Sequence, residues 1–236
     1  MLIMRFLIFL FLLLGDLASI ALAGPQIELV PNTADFGIVP NKANYFWDIV
    51  VKSTGNDTLI IDSLDLICSC IKFPLGKNKF APGDSAVVRL VYKSESFVGQ
   101  RDRHPHFYTN ASDRPALLAV RALGPAKIEE HRPINVKPYR IMASQFGKEI
   151  QRKFSFTIAN YSEDNVPLKL LYFDNEYFDI NFPPFVPPKG TVSAYIILND
   201  KGIESEFEKS LTFEYINSLS EKKNFSIPIV RKMYKR

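Results

Sequence analysis

Cysteine and histidine are close to absent from this 236-residue chain, which holds two of the first, Cys68 and Cys70, and three of the second. So small a stock excludes a disulfide framework and leaves little room for thiol or metal chemistry. There is no Gly-rich phosphate loop, no G-x-S-x-G and no H-E-x-x-H, and the carboxylates are scattered. With no catalytic constellation to point to, the chain is expected to be non-catalytic and to use no cofactor. One-sided charge is missing as well. Residues 24–124 carry 11 basic and 10 acidic side chains, and residues 125–236 carry 17 and 14. That balance lacks the basic stripe nucleic acid requires, so nucleic-acid partners are not expected. "RKMYKR" at 231–236 supplies four of the basic groups, either as a frayed solubilising end or as a contact for an anionic surface. Amphipathic helical periodicity is lacking throughout residues 24–236, where "NDKGIESEFEK" (199–209) is at most one short turn of helix.

A long apolar run does occur at the start. Arg5, the apolar stretch from Phe6 to Leu14 and "ALA" at 21–23 make a charged region, a short hydrophobic region and a small-residue cleavage site. Residues 1–23 are therefore expected to be a secretory signal peptide. The stretch is short for a membrane span and Asp16 interrupts it. The alternative is an uncleaved N-terminal anchor. After cleavage no integral membrane span remains, and the protein is expected to be exported to a periplasm or a cell surface.

The remainder repeats itself. At an offset of 107, "IELVP" (27–31) falls on "INVKP" (134–138) and "WDIVVKSTGN" (47–56) on "FSFTIANYSE" (154–163). Gly83 falls on Gly190, Tyr108 on Tyr215 and Asn110 on Asn217, while Phe36-Gly37 and Phe146-Gly147 echo at an offset of 110. Within each copy, stretches such as "YFWDIVVK" (45–52), "SAVVRLVY" (85–92) and "KFSFTIA" (153–159) alternate as strands do, and clusters of Gly, Asn, Asp and Pro separate them. About seven short strands in about 100 residues, twice over, predict an all-β protein of two tandem immunoglobulin-like sandwiches. The expected domains are 24–124 and 125–236, joined near "GPAK" (124–127).

Phe36-Gly37, Thr54-Gly55, Cys68 and Cys70, Pro82-Gly83 and Thr109-Asn110 follow one another in an order that resembles a secreted bacterial family of unknown function. That family is related to the ASH (hydin-like) and major-sperm-protein immunoglobulin-type domains. Ser53 stands where the family usually has Asn, and Thr58-Leu59 replaces Pro-Leu. The second copy keeps Asn160 and Pro167-Leu168 but has Asn175 and Tyr177 at the cysteine positions. The resemblance implies a sandwich used as an adhesive or scaffolding module, with no established chemistry.

Three groups of side chains are candidate sites. On a regular strand, Cys68 and Cys70 would share a face with Cα atoms roughly 6.5–7 Å apart, so a bridge between them needs a bend. They are inert strand residues, a reversible disulfide, or soft-metal ligands, with His104 and His106 as weaker ligands that would complete a tetrahedral set. Glu129, Glu130 and His131 are a solvated loop or a weak surface metal site. Phe173, Tyr177, Phe178, Phe182 and Phe185 are either core or an aromatic face for a protein partner. Asn-x-Ser/Thr at Asn56, Asn110, Asn160 and Asn224 marks either glycosylation or turns rich in these residues.

The function expected is that of an exported binding or scaffold protein, an accessory of a cell-envelope or surface assembly whose partners are envelope proteins. Two alternatives stay open. One is a periplasmic pilus-type chaperone, for which Arg121 is the only candidate anchoring cation. The other is a thiol-redox or copper-handling protein using the cysteine pair. Cleavage after Ala23 is checked directly: Edman or mass-spectrometric sequencing of the exported protein should begin at Gly24, and recovery of residues 1–23 would establish the anchor instead.

Overall fold

Alternation in the sequence becomes alternation of burial. Along Ser85–Ser94, Val88, Leu90, Tyr92 and Ser94 point inward while Val87 and Lys93 face water, and Lys153–Asn160 buries Phe154, Phe156, Ile158 and Asn160 in the same way. The computed structural model describes residues 24–126 and 133–234. The expected signal peptide (1–23), the Glu129–Glu130–His131 group and the last two residues of the basic tail lie outside the described residues.

The first half contains β1 (Ile27–Val30), β2 (Thr33–Ile38), β3 (Ala43–Ser53), β4 (Leu59–Asp65), β5 (Ile71–Lys72), β6 (Lys79–Phe80), β7 (Ser85–Ser94), β8 (Gly99–Arg103), β9 (His106–Thr109), β10 (Ser112–Leu117) and β11 (Ala119–Gly124). The second contains β12 (Ile134–Lys137), β13 (Ile141–Met142), β14 (Gln145–Phe146), β15 (Lys153–Asn160), β16 (Val166–Tyr172), β17 (Phe178–Asn181), β18 (Phe185–Val186), β19 (Thr191–Leu198), α1 (Asp200–Glu204), β20 (Phe207–Ile216), β21 (Lys222–Arg231) and β22 (Met233–Tyr234). The expected helical turn is α1, capped by Asn199, whose Oδ1 accepts from the Gly202 amide at 2.9 Å.

The sheet β1-β3-β7-β5 covers β10-β9-β4-β6, and Tyr45, Ile49, Leu59, Leu90 and Phe107 fill the space between them. The sheet β12-β15-β19-β17 likewise covers β18-β16-β20-β21, around Phe156, Ile158, Phe178, Ile196 and Phe213. Both halves are immunoglobulin-like sandwiches. Registers match at the offset read from the sequence: Ile27 pairs with Ser53, and Ile134 with Asn160. The tight turn at Ala81–Asp84 has the Asp84 amide bonded to the Ala81 carbonyl and Gly83 at φ +82, which fits a type II turn.

The sandwiches are not beads on a string. Strand β2 runs parallel to β11 on one side and to β21 on the other, so a single eight-stranded sheet passes from the second sandwich into the first. Gly37 makes the join possible. It sits at φ +59, and a Cβ there would lie 1.8 Å from the Asn224 carbonyl oxygen. The Ser226 hydroxyl donates to the Phe36 carbonyl (2.8 Å) and the Asn224 side-chain amide to the Asp35 carbonyl (2.7 Å), which fixes the register. The tail also belongs to the fold. Arg231 is fully buried, with its guanidinium on the Ala143 and Ile203 carbonyls, and Tyr234 pairs through β22 with β14. Residues 231–234 are therefore not the frayed end the sequence suggested. Gly37→Ala should cost about 3 kcal/mol or more in denaturant unfolding, from the left-handed backbone and the backbone clash together. A loss under about 1 kcal/mol would mean that β2 and β21 are not held edge to edge.

Candidate functional site

At the junction a carboxylate is almost completely removed from water. Asp174, just past the end of β16, has a side chain that is 1% exposed. Its Oδ2 lies 2.7 Å from Arg89 Nη1, across the junction on β7, and 2.8 Å from Lys209 Nζ on β20. Arg89 in turn grips Asp48 on β3 through Nε (2.8 Å) and Nη2 (3.2 Å). A buried carboxylate is tolerable only with such partners. Two cations and two anions cancel, so the set works as a clamp rather than a ligand site. The hydrogen bond with Asp48 is the main reason the Arg89 guanidinium is held even more firmly protonated than usual. Around the clamp, Trp47 stacks on Tyr172 (centroids 6.3 Å apart), Ser210 Oγ accepts from the Phe46 amide (3.1 Å), and Asn44 donates to Glu208 (2.7 Å).

Beside the join runs a groove of about 310 Å³, bounded by Asp35, Gln100, Arg121, Asn217, Lys223 and Asn224. Arg121 lies 3.4 Å from Asp102 and Lys223 lies 3.2 Å from Glu221, both in exposed pairs. Such pairs are weak and exchangeable, so either cation can turn to an incoming acceptor. Nothing in the local sequence links Gln100 or Arg121 to Asn217 and Lys223. The shared sheet alone brings them together.

The cysteines are bridged. They sit in a turn between β4 and β5 with Cα atoms 5.2 Å apart, the bend that a bridge requires, and not on a regular strand. The bend comes from Ile67 at φ +65, whose amide is held by Asp65 Oδ1 (2.9 Å). The Lys93 amide donates to the Cys70 carbonyl (2.7 Å), tying the turn to β7. Both half-buried cysteines rest against the first core and line a hollow of about 190 Å³ shared with Tyr92, Lys93, Glu95, Phe97, Arg101 and Arg103. His104 and His106 do not border this hollow. His104 Nε2 is 3.2 Å from Asp102, and His106 Nδ1 is 3.5 Å from the Tyr108 hydroxyl. The tetrahedral set is thus not assembled: the sulfurs are bonded to each other, and among the described residues no three His, Cys, Asp or Glu side chains are grouped to hold a metal.

The five aromatic candidates do not form one face. Phe178 is fully buried, and Phe173, Tyr177 and Phe182 are half-buried against the same core, close to Phe178, Phe207 and Phe213 respectively. Only Phe185 is exposed, at 48%. The segment after β16 folds back over the end of the second sandwich and spends its rings there. An exposed aromatic pair that sequence reasoning missed is Phe146 and Tyr234, stacked 5.0 Å apart across β14 and β22. The repeat pointed the other way, because Phe36, its echo, is fully buried. The four Asn-x-Ser/Thr asparagines all serve the fold. Asn56 accepts from the Gly24 amide, Asn110 bonds Ile60 and Thr58, Asn160 is buried and bonds Asp164, and Asn224 bonds Asp35.

This geometry defines an all-β protein of immunoglobulin-like sandwiches, with a clamp, a groove and a bridged turn as its distinctive features. Residues 27–123 match the family described as "Protein of unknown function (DUF1573)", a span that contains the bridged turn and ends before the second sandwich. No curated protein matches the chain. Among solved structures, a protein of unknown function from Porphyromonas gingivalis W83 is similar at 10% identity over 88% of this chain and 100% of that one, with a TM-score of 0.33. WR4, an MSP family member from C. elegans, is similar at 17% identity over 43% of this chain and 100% of that one, with a TM-score of 0.34. The CupB2 chaperone of Pseudomonas aeruginosa is similar at 10% identity over 82% of this chain and 97% of that one, with a TM-score of 0.28. Among the described residues, no helix is long and apolar enough to cross a membrane.

Tyr172 offers a test of the junction. Its hydroxyl is buried without a partner, and burial, reinforced by the Asp48 and Asp174 carboxylates, raises its pKa. The unfolded chain loses this proton near pH 10 while the folded chain keeps it. Its titration therefore leaves stability unchanged below about pH 10 and lowers it as pH rises further. Tyr172→Phe keeps the ring stack, so urea unfolding at pH 7 should show equal stability or a gain of up to about 1 kcal/mol. The decline above about pH 10 should become shallower, with Tyr45, Tyr92 and Tyr215, raised for the same reason, supplying the rest. A clear loss of stability at pH 7 would show that the hydroxyl is paired.

Proposed function

We propose that this protein is exported and acts by binding, as a rigid two-sandwich scaffold within a cell-envelope or surface assembly, without catalysing a reaction. The observation that carries this reading is the shared sheet. It locks two sandwiches into one body and leaves a groove of about 310 Å³ across the seam. A groove walled by both halves keeps its shape only while the halves are fixed, so a partner pays no cost for ordering them. Its lining mixes apolar surface with the Gln100, Asn217 and Asn224 amides and two cations, Arg121 and Lys223, which suits an extended peptide or a carboxylate-bearing loop. The N-terminal leader pattern and the bridged cysteines support export.

A pilus-type chaperone is the second reading, favoured by one observation: Arg121 lies in this groove together with Lys223. The two readings differ in the state of the partner. A photo-crosslinking residue placed at Gln100 in the exporting cell should give one discrete adduct, absent when the probe is at Val87 on the outer face of β7. The adduct should disappear in Arg121→Glu/Lys223→Glu. An adduct with a subunit that is unfolded when released favours the chaperone, and one with a folded partner favours the scaffold. Equal labelling from both positions would exclude the groove as the binding site.

A further inference from the structure

The bridged turn is unlike the rest of the fold in four independent respects. A disulfide spanning a single residue closes almost no loop, so it contributes little to stability. The second sandwich folds with Asn175 and Tyr177 at the corresponding positions. The backbone next to the bridge is strained. Four non-glycine residues have positive φ among the described residues (Lys42, Ile67, Lys189 and Ser220), and Ile67 is the only β-branched one. A β-branched side chain in that conformation persists only where its surroundings impose it, and such strain collects at functional positions. Finally, the bridge opens onto a hollow in which three cations, Lys93, Arg101 and Arg103, face one carboxylate, Glu95. Arg101 is held in place over the Phe97 ring, its guanidinium 5.1 Å from the centroid.

We propose that Cys68–Cys70 is a redox-active disulfide that exchanges with thiols flanked by carboxylates, drawn in by the Lys93–Arg101–Arg103 hollow. A thiolate of the incoming molecule attacks one cysteine Sγ. A bond forms between the two sulfurs, the Sγ–Sγ bond breaks, and its electron pair leaves on the other cysteine as a thiolate. A second thiolate, from the same dithiol or from a second molecule, attacks the incoming sulfur of the mixed disulfide and releases the first cysteine. The two thiols are oxidised to a disulfide and the bridge is reduced to two thiolates, which take up protons from water as the pH dictates. The cations favour both the approach of the anionic thiol and the negative charge that develops on the departing sulfur. Opening the bridge also frees Cys68 from Cys70, so the turn can relax around Ile67. The reverse exchange, with a disulfide, restores the bridge.

The test uses the exported full chain with its bridge intact, and follows reduction by quenching with an alkylating agent and intact mass. Reductants are 3-mercaptopropionate (anionic), 2-mercaptoethanol (neutral) and cysteamine (cationic), compared at equal thiolate concentration. At low salt the anionic thiol should react about tenfold faster than the cationic one. The preference should collapse in about 1 M salt, where the Debye length is near 3 Å. In Arg101→Gln/Arg103→Gln it should be lost at low salt, and should that variant fail to fold, the salt series alone decides. A peptide dithiol bounded by aspartates that outruns 3-mercaptopropionate assigns a protein partner; the opposite order assigns a small carboxylated thiol. Equal rates for anionic and cationic thiols at low salt, or a bridge that none of them opens without denaturant, overturn the proposal.

Discussion

The burial of the Asp174 carboxylate is the constraint on which the rest of the molecule turns. A charge with 1% of its side chain exposed must have its counter-charges delivered to it, and here they come from both sandwiches, Arg89 from one and Lys209 from the other. Neither half alone provides an equivalent environment. Separating them would leave Asp174 with half its partners and Arg89 with Asp48 only. The charge set thus works against separation, while the Trp47–Tyr172 stack supplies the apolar contact beside it. Removing a charge from water is a poor way to gain stability but a good way to make one relative orientation much better than its neighbours.

The shared sheet extends that logic to the backbone. Tandem sandwiches joined by a linker move relative to one another unless their interface is large. Here β2 and β21 run as neighbours, and Gly37 allows an approach that any side chain would block. Side-chain bonds from Asn224 and Ser226 to the β2 carbonyls supply the specificity that a short parallel ladder lacks. The groove inherits its shape from this join, since residues on β2, β11 and β21 bound it.

Much of the architecture was legible because it is written in short-range period. Strands β3, β7, β15 and β19 alternate as a half-buried strand must, and the offset of 107 reappears in the paired registers. What bound the halves together had no such trace. Asp35 and Asn224 are 189 residues apart, and neither lies in a pattern that names the other. The same holds for Arg89 and Asp174. The cysteine pair stays open in sequence between strand and bridged bend because flanking Leu, Ile and Cys read as extended, and nothing in sequence announces a β-branched residue at positive φ. The aromatic stretch stays open in sequence between core and surface because burial in loops follows no period. Phe173, Tyr177 and Phe182 are covered by the way the chain returns over the core.

The position of β21 has a consequence for how the molecule is made. The Phe36 carbonyl, inside the first sandwich, waits for the Ser226 hydroxyl 190 residues later in the chain. As the chain emerges N-terminus first, the first sandwich can close its own core early, yet β2 keeps one open edge until the last long strand arrives. Through most of synthesis the nascent protein therefore carries an unpaired strand edge that the finished protein hides. The order of emergence makes β21 a latch, which closes only once residues 222–231 have been made.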